Sequence, residues 1–390
     1  MPENMMLKIF PVFLFAPFLF VASCGGGNTG QAFTPSSTSS PSPSRTASVD
    51  TRDPLKQPFA SDSIWNMPIG RSAVYVAAHL PTNPGNSSTA KMPGIDAERI
   101  VLKPTAPLVT VNYSSAGWSG QNRCSGMGAT LLQVPVPSTY VVPSSSLNNV
   151  AAFLLPDQRT IAQAQPFARC TPGGAATAMI KFANVDLHGS GIAGAHGGSG
   201  LSAIGGSIRL GELRPGNANG PRHALKINVY AKEALYQCLA PSTCFRWPAS
   251  TADSYAVGTY GSNNKNSNGA VKMGALLAIP ASVAISALGL ETEPARQLAW
   301  TLQNYGAYIV DDTSVPGFDF NVEDGPDGSK SAEFSADWGF EMEQRVSANT
   351  AWVRDIQRIV AALYVVDNNS VTAIGGGGVR LQALAPEITP

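Results

Sequence analysis

Between Phe59 and Tyr230 the chain is a succession of short β-prone runs, each cut off by glycine, proline, asparagine or serine. Leu108-Val109-Thr110-Val111-Asn112-Tyr113, Thr130-Leu131-Leu132-Gln133-Val134-Pro135-Val136 and Ala151-Ala152-Phe153-Leu154-Leu155 are examples. Runs this short suit strands rather than self-supporting helices, and the breakers fall where turns are needed. Alternation from Arg159 to Phe167 puts Ile161, Gln163 and Gln165 on one face and Ala162 and Ala164 on the other. Ser207–Leu210 and His223–Tyr230 read as further strands. The pattern predicts a mainly β body, a β-sandwich or jelly roll, with a few helices toward the C-terminus.

Those helices carry the usual start and stop signals. Glu293–Tyr305 follows Thr292 as a candidate cap, has Pro294 in its first turn, and spaces Leu298 and Leu302 four apart before Gly306. Thr350–Leu363 carries Trp352, Ile356, Ile359 and Leu363 at helical spacing. Each precedes a strand-like run, Ala307–Val310 and Tyr364–Val366, so both helices are expected to brace a sheet. Asp319–Gly328 reads as an acidic, turn-rich loop of calcium-site composition. It misses the EF-hand template, with Asp324 at the glycine position and Lys330 at the bidentate glutamate position. Calcium is the one cofactor that composition admits; no other metal or cofactor is expected.

The start of the chain is of another kind. The apolar stretch Ile9–Val21 is about 13 residues, short of the roughly 20 that span a membrane, and reads as a signal-peptide core. It closes on Ala22-Ser23-Cys24, which resembles the lipobox of bacterial lipoproteins. That resemblance implies cleavage before Cys24, lipidation of its sulfur and a membrane anchor in the bacterial cell envelope. Gly25 follows, with no aspartate to signal inner-membrane retention, so the outer membrane or cell surface is expected. The expected organisation is a signal peptide over 1–23, a flexible tether over 24–53 and one β-rich domain over 54–390. A Gly/Ser/Thr/Pro tether of that length reaches roughly 30 Å.

With Cys24 set aside, Cys124, Cys170, Cys238 and Cys244 remain, and an exported chain permits disulfides. Four cysteines allow three connectivities. Cys238 and Cys244 enclose only Leu-Ala-Pro-Ser-Thr, which favours their pairing, with Cys124–Cys170 as complement. A zinc site finds no Cys-x-x-Cys pair. The formal charge is zero, 13% of residues are charged, and no basic run exists, which argues against a nucleic-acid partner.

Chemistry concentrates in Asp186–Gly200, which holds His188 and His196, two of the chain's four histidines, among glycines; His223 follows. Glycine allows close backbone approach, and histidine moves protons near neutral pH. No G-x-S-x-G elbow surrounds Ser190, Ser199 or Ser202. Trp118 stands in a polar stretch as a candidate sugar-stacking platform. Arg209-Leu210-Gly211-Glu212-Leu213-Arg214 resembles the Arg-x-Glu-Leu-Arg strand of jelly-roll alginate lyases, with one residue inserted. That resemblance implies Arg209 or Arg214 on a substrate carboxylate, His223 as base and Tyr230 as acid.

The expectation is a surface-anchored enzyme that cleaves an extracellular polysaccharide by β-elimination. Its catalytic candidates are His188, His196, His223, Arg209 and Glu212, and its substrate-binding candidates Trp118, Arg214 and Tyr230. The alternatives are a glycoside hydrolase using two of Asp157, Asp186, Glu212, Asp311 and Asp312, or a non-catalytic glycan-binding lipoprotein.

Overall fold

The computed structural model describes residues 51–388, apart from 120, 121, 146 and 264–267. The expected signal peptide, the lipidation site Cys24 and nearly all of the tether lie outside the described residues. Within them the protein is mainly β, and its longer helices fall in the C-terminal third.

Twelve strands form one mixed sheet. Its order is β10 (Val185–Asp186), β7 (Thr160–Gln165), β6 (Ala151–Leu154), β3 (Lys91–Val101), β14 (Gly317–Gly325), β11 (Leu225–Val229), β13 (Ala307–Asp312), β12 (Leu276–Ala278), β16 (Tyr364–Val366) and β2 (Tyr75–Ala77). β9 (Ile180–Lys181) pairs with β7, and β15 (Gly328–Ser329) with β14. The pairs β3–β6, β3–β14 and β11–β13 are parallel. A second sheet orders β5 (Thr130–Pro135), β4 (Leu108–Tyr113) and β8 (Ala176–Ala178), and β1 (Thr51–Arg52) pairs with β17 (Glu387–Ile388).

Three apolar layers hold these sheets. Val109, Val111, Leu132 and Val134 of the small sheet pack on Ala151, Phe153, Ala162 and Ala164 of β6 and β7, a local sandwich. One face of the large sheet gives Leu225, Ile227, Ile309, Phe320 and Val322 to α3 (Glu293–Asn304), α4 (Lys330–Trp338) and α5 (Ala351–Ala361). Elsewhere Tyr308 and Val310 meet Phe59, Trp65, Leu201 and Ile204 from irregular segments. The short helices α1 (Ala231–Ala234) and α2 (Ala256–Thr259) follow β11 and precede β12.

The expected helices form with their following strands. Thr350 caps α5, its Oγ1 accepting the Val353 N–H at 3.2 Å. Thr292 does not cap α3; its N–H and hydroxyl donate to Asp355 on α5, each at 2.7 Å, which ties the two helices together. Both expected disulfides are present, Cys124–Cys170 and Cys238–Cys244.

Two expectations need correction. Ser207–Leu210 is no strand: Ile208 makes one isolated bridge to Val322, and the chain then turns through Gly211 (φ 86°) and Leu213 (φ 46°). The lyase-like run is therefore a turn, so its residues do not share a strand face. Conversely, Asp319–Gly325 is no loop but most of β14, where Phe318, Phe320 and Val322 alternate into the core. Two of its acidic side chains are committed, Glu323 to Arg209 and Asp324 to Arg99, and Asp327 in the following turn pairs with Lys103, whereas Asp319 joins the polar side of the sheet.

Candidate active site

Strand register gathers a polar stripe across the centre of the large sheet. On β11, Leu225, Ile227 and Val229 face the helices, so Lys226 and Asn228 face away. Pairing with β14 and β3 puts Asp319, Asn321 and Glu323, and Asp96 and Glu98, on that same side. A regular β13 would send Asp311 the way of Ile309, toward the helices. A register shift after Ile227 and Ile309 leaves Val310 as the extra residue and brings Asp311 opposite Asn228. A β-bulge re-aims a side chain in this way.

The glycine-rich segment lies over this stripe. Lys226 is fully buried; its Nζ donates to both Glu98 carboxylate oxygens at 2.7 Å and to the Ser202 carbonyl at 2.8 Å. The Ser207 hydroxyl also donates to Glu98. A Cβ on Gly206, which has φ 80°, would stand 2.7 Å from Lys226 Cγ, so the close cover requires glycine. His196 is buried with Nε2 against Glu98 and Nδ1 3.5 Å from Asp311 Oδ2. Burial and the neighbouring Lys226 ammonium pull its pKa down, but Glu98 and Asp311 more than offset them, and it lies above the ordinary histidine value. Glu98 stays below the usual carboxylate range because Lys226 and His196 outweigh its burial.

Beside this network a cleft of about 1150 Å³ opens where β11 and β13 end and β3 and β14 begin. Asp96, Asp253, Asp311, Asp312 and Asp319 line it, with Phe245, Trp118 and Tyr255 as aromatic walls. Trp118, Leu147, Ile180, Tyr255, Val257 and Val315 are exposed apolar residues that line this one cleft. A concave site with exposed apolar walls and a few convergent polar groups is what ligand recognition needs.

Asp253 and Asp311 converge on Gly198. A Cβ built there would lie 2.5 Å from Asp311 Oδ1 and 3.1 Å from Asp253 Oδ2. The two oxygens are thus within about 6 Å of each other, near enough for the Asp311 charge to act on Asp253. Burial, and then the Asp311 charge, push the Asp253 carboxyl up to about 7. The Tyr260 hydroxyl donates to Asp253 Oδ2 at 2.6 Å and fixes its orientation. Asp312 is anchored differently, accepting the N–H groups of Ala231 and Ser314 and the Tyr255 hydroxyl. Burial also raises Asp96 and, together with Asp96, lifts Asp319 to about 8.

Trp118 is held at the rim by its loop. Buried Arg123 donates to the Gly117 carbonyl at 2.8 Å and the Leu147 carbonyl at 2.6 Å, and the Trp118 indole donates to Asn148. The Cys124–Cys170 disulfide ties the same loop to the chain just beyond β7.

Of the residues singled out from sequence, His196, Trp118, Asp311 and Asp312 meet at or beside this cleft. The others lie elsewhere. His188 sits by the exposed Asp186–Arg159 ion pair. His223 is buried against Glu212 at 3.1 Å, Arg209 pairs with Glu323, Arg214 with Asp337, and buried Tyr230 lies 3.5 Å from Asn263. Sequence reasoning missed Asp253, Glu98 and Lys226, and it took Asp319 for part of a turn-rich loop. Lys226 had a legible signal, since a lysine inside Ala224-Leu225-Lys226-Ile227 must find a buried partner. Among the described residues no group of three His, Cys, Asp or Glu converges to hold a metal ion.

Comparison with protein-family models, curated proteins and solved structures gave no match.

Proposed function

We propose that the cleft is a glycoside hydrolase site acting on a polysaccharide, with Asp253 as general acid and Asp311 as nucleophile. One observation carries this reading: two carboxylates converge on Gly198, and one is held protonated to about 7 by burial and the other's charge. Two neighbouring carboxyl groups, one of them kept protonated, are the acid–base equipment of glycosidases, and a separation within about 6 Å is short of the roughly 6.5–9.5 Å of inverting enzymes, which favours the retaining mechanism. Protonated Asp253 gives its proton to the leaving glycosidic oxygen as Asp311 attacks the anomeric carbon, forming a glycosyl ester. Ionised Asp253 then takes a proton from water, whose oxygen displaces Asp311 and restores both carboxyls. His196 beside Asp311 Oδ2 acts as a positioning residue.

Trp118, Tyr255 and Phe245 supply stacking faces for pyranose rings. Elimination next to a uronic carboxylate would need a cation to neutralise it, and Arg209 and Arg214 are outside the cleft in ion pairs of their own. Hydrolysis is thus the better-supported chemistry. Export and lipid anchoring through Cys24 belong to the same proposal, and two disulfides suit an oxidising compartment.

The test incubates the full chain with neutral, basic and uronic polysaccharides while reducing ends and ultraviolet absorbance are followed. New reducing ends without unsaturated product are expected, with retained anomeric configuration. Unsaturated product would overturn hydrolysis in favour of elimination. Binding without turnover would make this a glycan-binding protein, and release of peptides from a protein substrate would reassign the carboxyl pair to peptide hydrolysis.

A further inference from the structure

We propose that the substrate of this cleft is a cationic amino-sugar polymer, a glycan whose hexosamine units carry free ammonium groups. The inference rests on the glycoside hydrolase reading and names its substrate class.

Among the described residues the cleft wall carries five aspartates and one cationic side chain, Lys91, which is already bridged to Glu343 at 2.8 Å. No arginine among the described residues lines it. Hydrolysis of a neutral glycan needs two carboxyls, and three further aspartates exceed that need. Asp96 is satisfied by the amides of Asn148 and Asn228, and Asp312 by Tyr255 and backbone N–H groups. Asp319 is not: among the described residues its carboxyl makes no hydrogen bond or ion pair, with the Lys91 charge acting on it only from a distance, although it is largely shielded from solvent between β3 and β11. A Cβ on Gly94 would stand 2.0 Å from Asp319 Oδ1, so the neighbouring strand carries glycine where a side chain would block this carboxyl.

A second group points the same way. Gln165 is 1% exposed, lines the cleft, and its Oε1 has no hydrogen-bond partner. Shielded acceptors left unmatched cost free energy that a ligand donor recovers. An ammonium group carries three donors and one positive charge, which suits the unpaired Asp319 carboxyl by drawing it into its ionised form, and the unpaired Gln165 oxygen can accept a further donor from the bound glycan. A uronic polymer would instead set carboxylate against carboxylate, a like-charge contact that disfavours the wrong partner. An N-acetylated hexosamine replaces the charge with a neutral amide and leaves Asp319 without a counterion.

The experiment measures binding and turnover by the full chain of four oligomers matched in length: glucosamine, N-acetylglucosamine, galacturonate and lysine. The expected result is glucosamine bound and cleaved with at least tenfold preference over its N-acetylated counterpart, and galacturonate bound most weakly. Asp319→Asn, which keeps the side chain's shape, should lower glucosamine affinity roughly tenfold and leave N-acetylglucosamine affinity within about twofold. Thermal melts of the variant exclude misfolding as the cause, and Asp319→Ser gives an independent second variant. Cleavage of neutral or uronic oligomers without preference for glucosamine would overturn the substrate class while the hydrolase reading stands. Binding of lysine oligomers alone would show that the site takes a basic peptide, and failure to bind or cleave any glycan would overturn the hydrolase reading itself.

Discussion

Asp253→Asn should remove activity and, at the same time, make the folded protein more stable in alkaline solution. The carboxyl lies at about 7 in the folded state against an ordinary value of 3.8, because it is buried and faces the Asp311 charge. At ~1.4 kcal/mol per pKa unit, the raised value disfavours the folded state by up to roughly 4 kcal/mol once the pH exceeds 7. Asp253 keeps partial solvent contact, so screening reduces this to about 2 kcal/mol. Asparagine is neutral at every pH and its amide oxygen can still accept from the Tyr260 hydroxyl. Urea denaturation at pH 8 should therefore find the variant about 2 kcal/mol more stable than the parent, with the difference vanishing near pH 4. Turnover should fall by 10²–10⁴-fold, the usual worth of a general acid. A variant less stable than the parent at pH 8, or a difference independent of pH, would refute the argument that Asp253 is held protonated by its surroundings. Unchanged turnover would refute its role as acid.

Asp311→Asn should reduce turnover at least 10³-fold with near-normal melting, read by steady-state kinetics beside calorimetry. Glu98→Gln leaves the buried Lys226 ammonium with a weakened partner and should lower stability by 3–5 kcal/mol, seen as a lower urea midpoint. The pH profile of stability should peak in mild acid. Asp253 and Asp319, raised to about 7 and about 8, contribute stability that is full below the ordinary carboxylate range and lost as pH rises through those values. His196 and His223, raised above the histidine value, act in the same direction above about 6.5, whereas Glu98, which is lowered, withdraws its contribution in acid. Cys170→Ser unties the Trp118 loop and should raise KM several-fold on a polymeric substrate with kcat nearly unchanged.

Much of the framework was legible because it follows from local rules. Leu108–Tyr113 is β4 residue for residue, and helix α3 begins at Glu293, one residue past Thr292. The strand β14 was missed although Phe318, Phe320 and Val322 alternate; its acidic composition masked a period of two. Ser207–Leu210 erred in the opposite direction, since β propensity does not disclose that a positive-φ turn follows at Gly211. His196 was singled out as a proton carrier, yet Glu98 and Asp311, which set its state, are distant in sequence and reach it through pairing of separate strands.

The strand-rich body, helices α3 and α5 and the favoured cysteine pairing follow from the amino-acid sequence alone, because each depends on periodicity or short spacing. The same sequence also carries the glycines that let a backbone segment close over the sheet. The convergence of Asp253 and Asp311 at Gly198, and the bulge at Val310 that turns Asp311 out of the helix-facing layer, emerge only when the strands pair in space. Register shifts of one residue reverse every side chain that follows, and they are set by pairing between strands far apart in the chain. A carboxyl pair built across such a shift has no local signature.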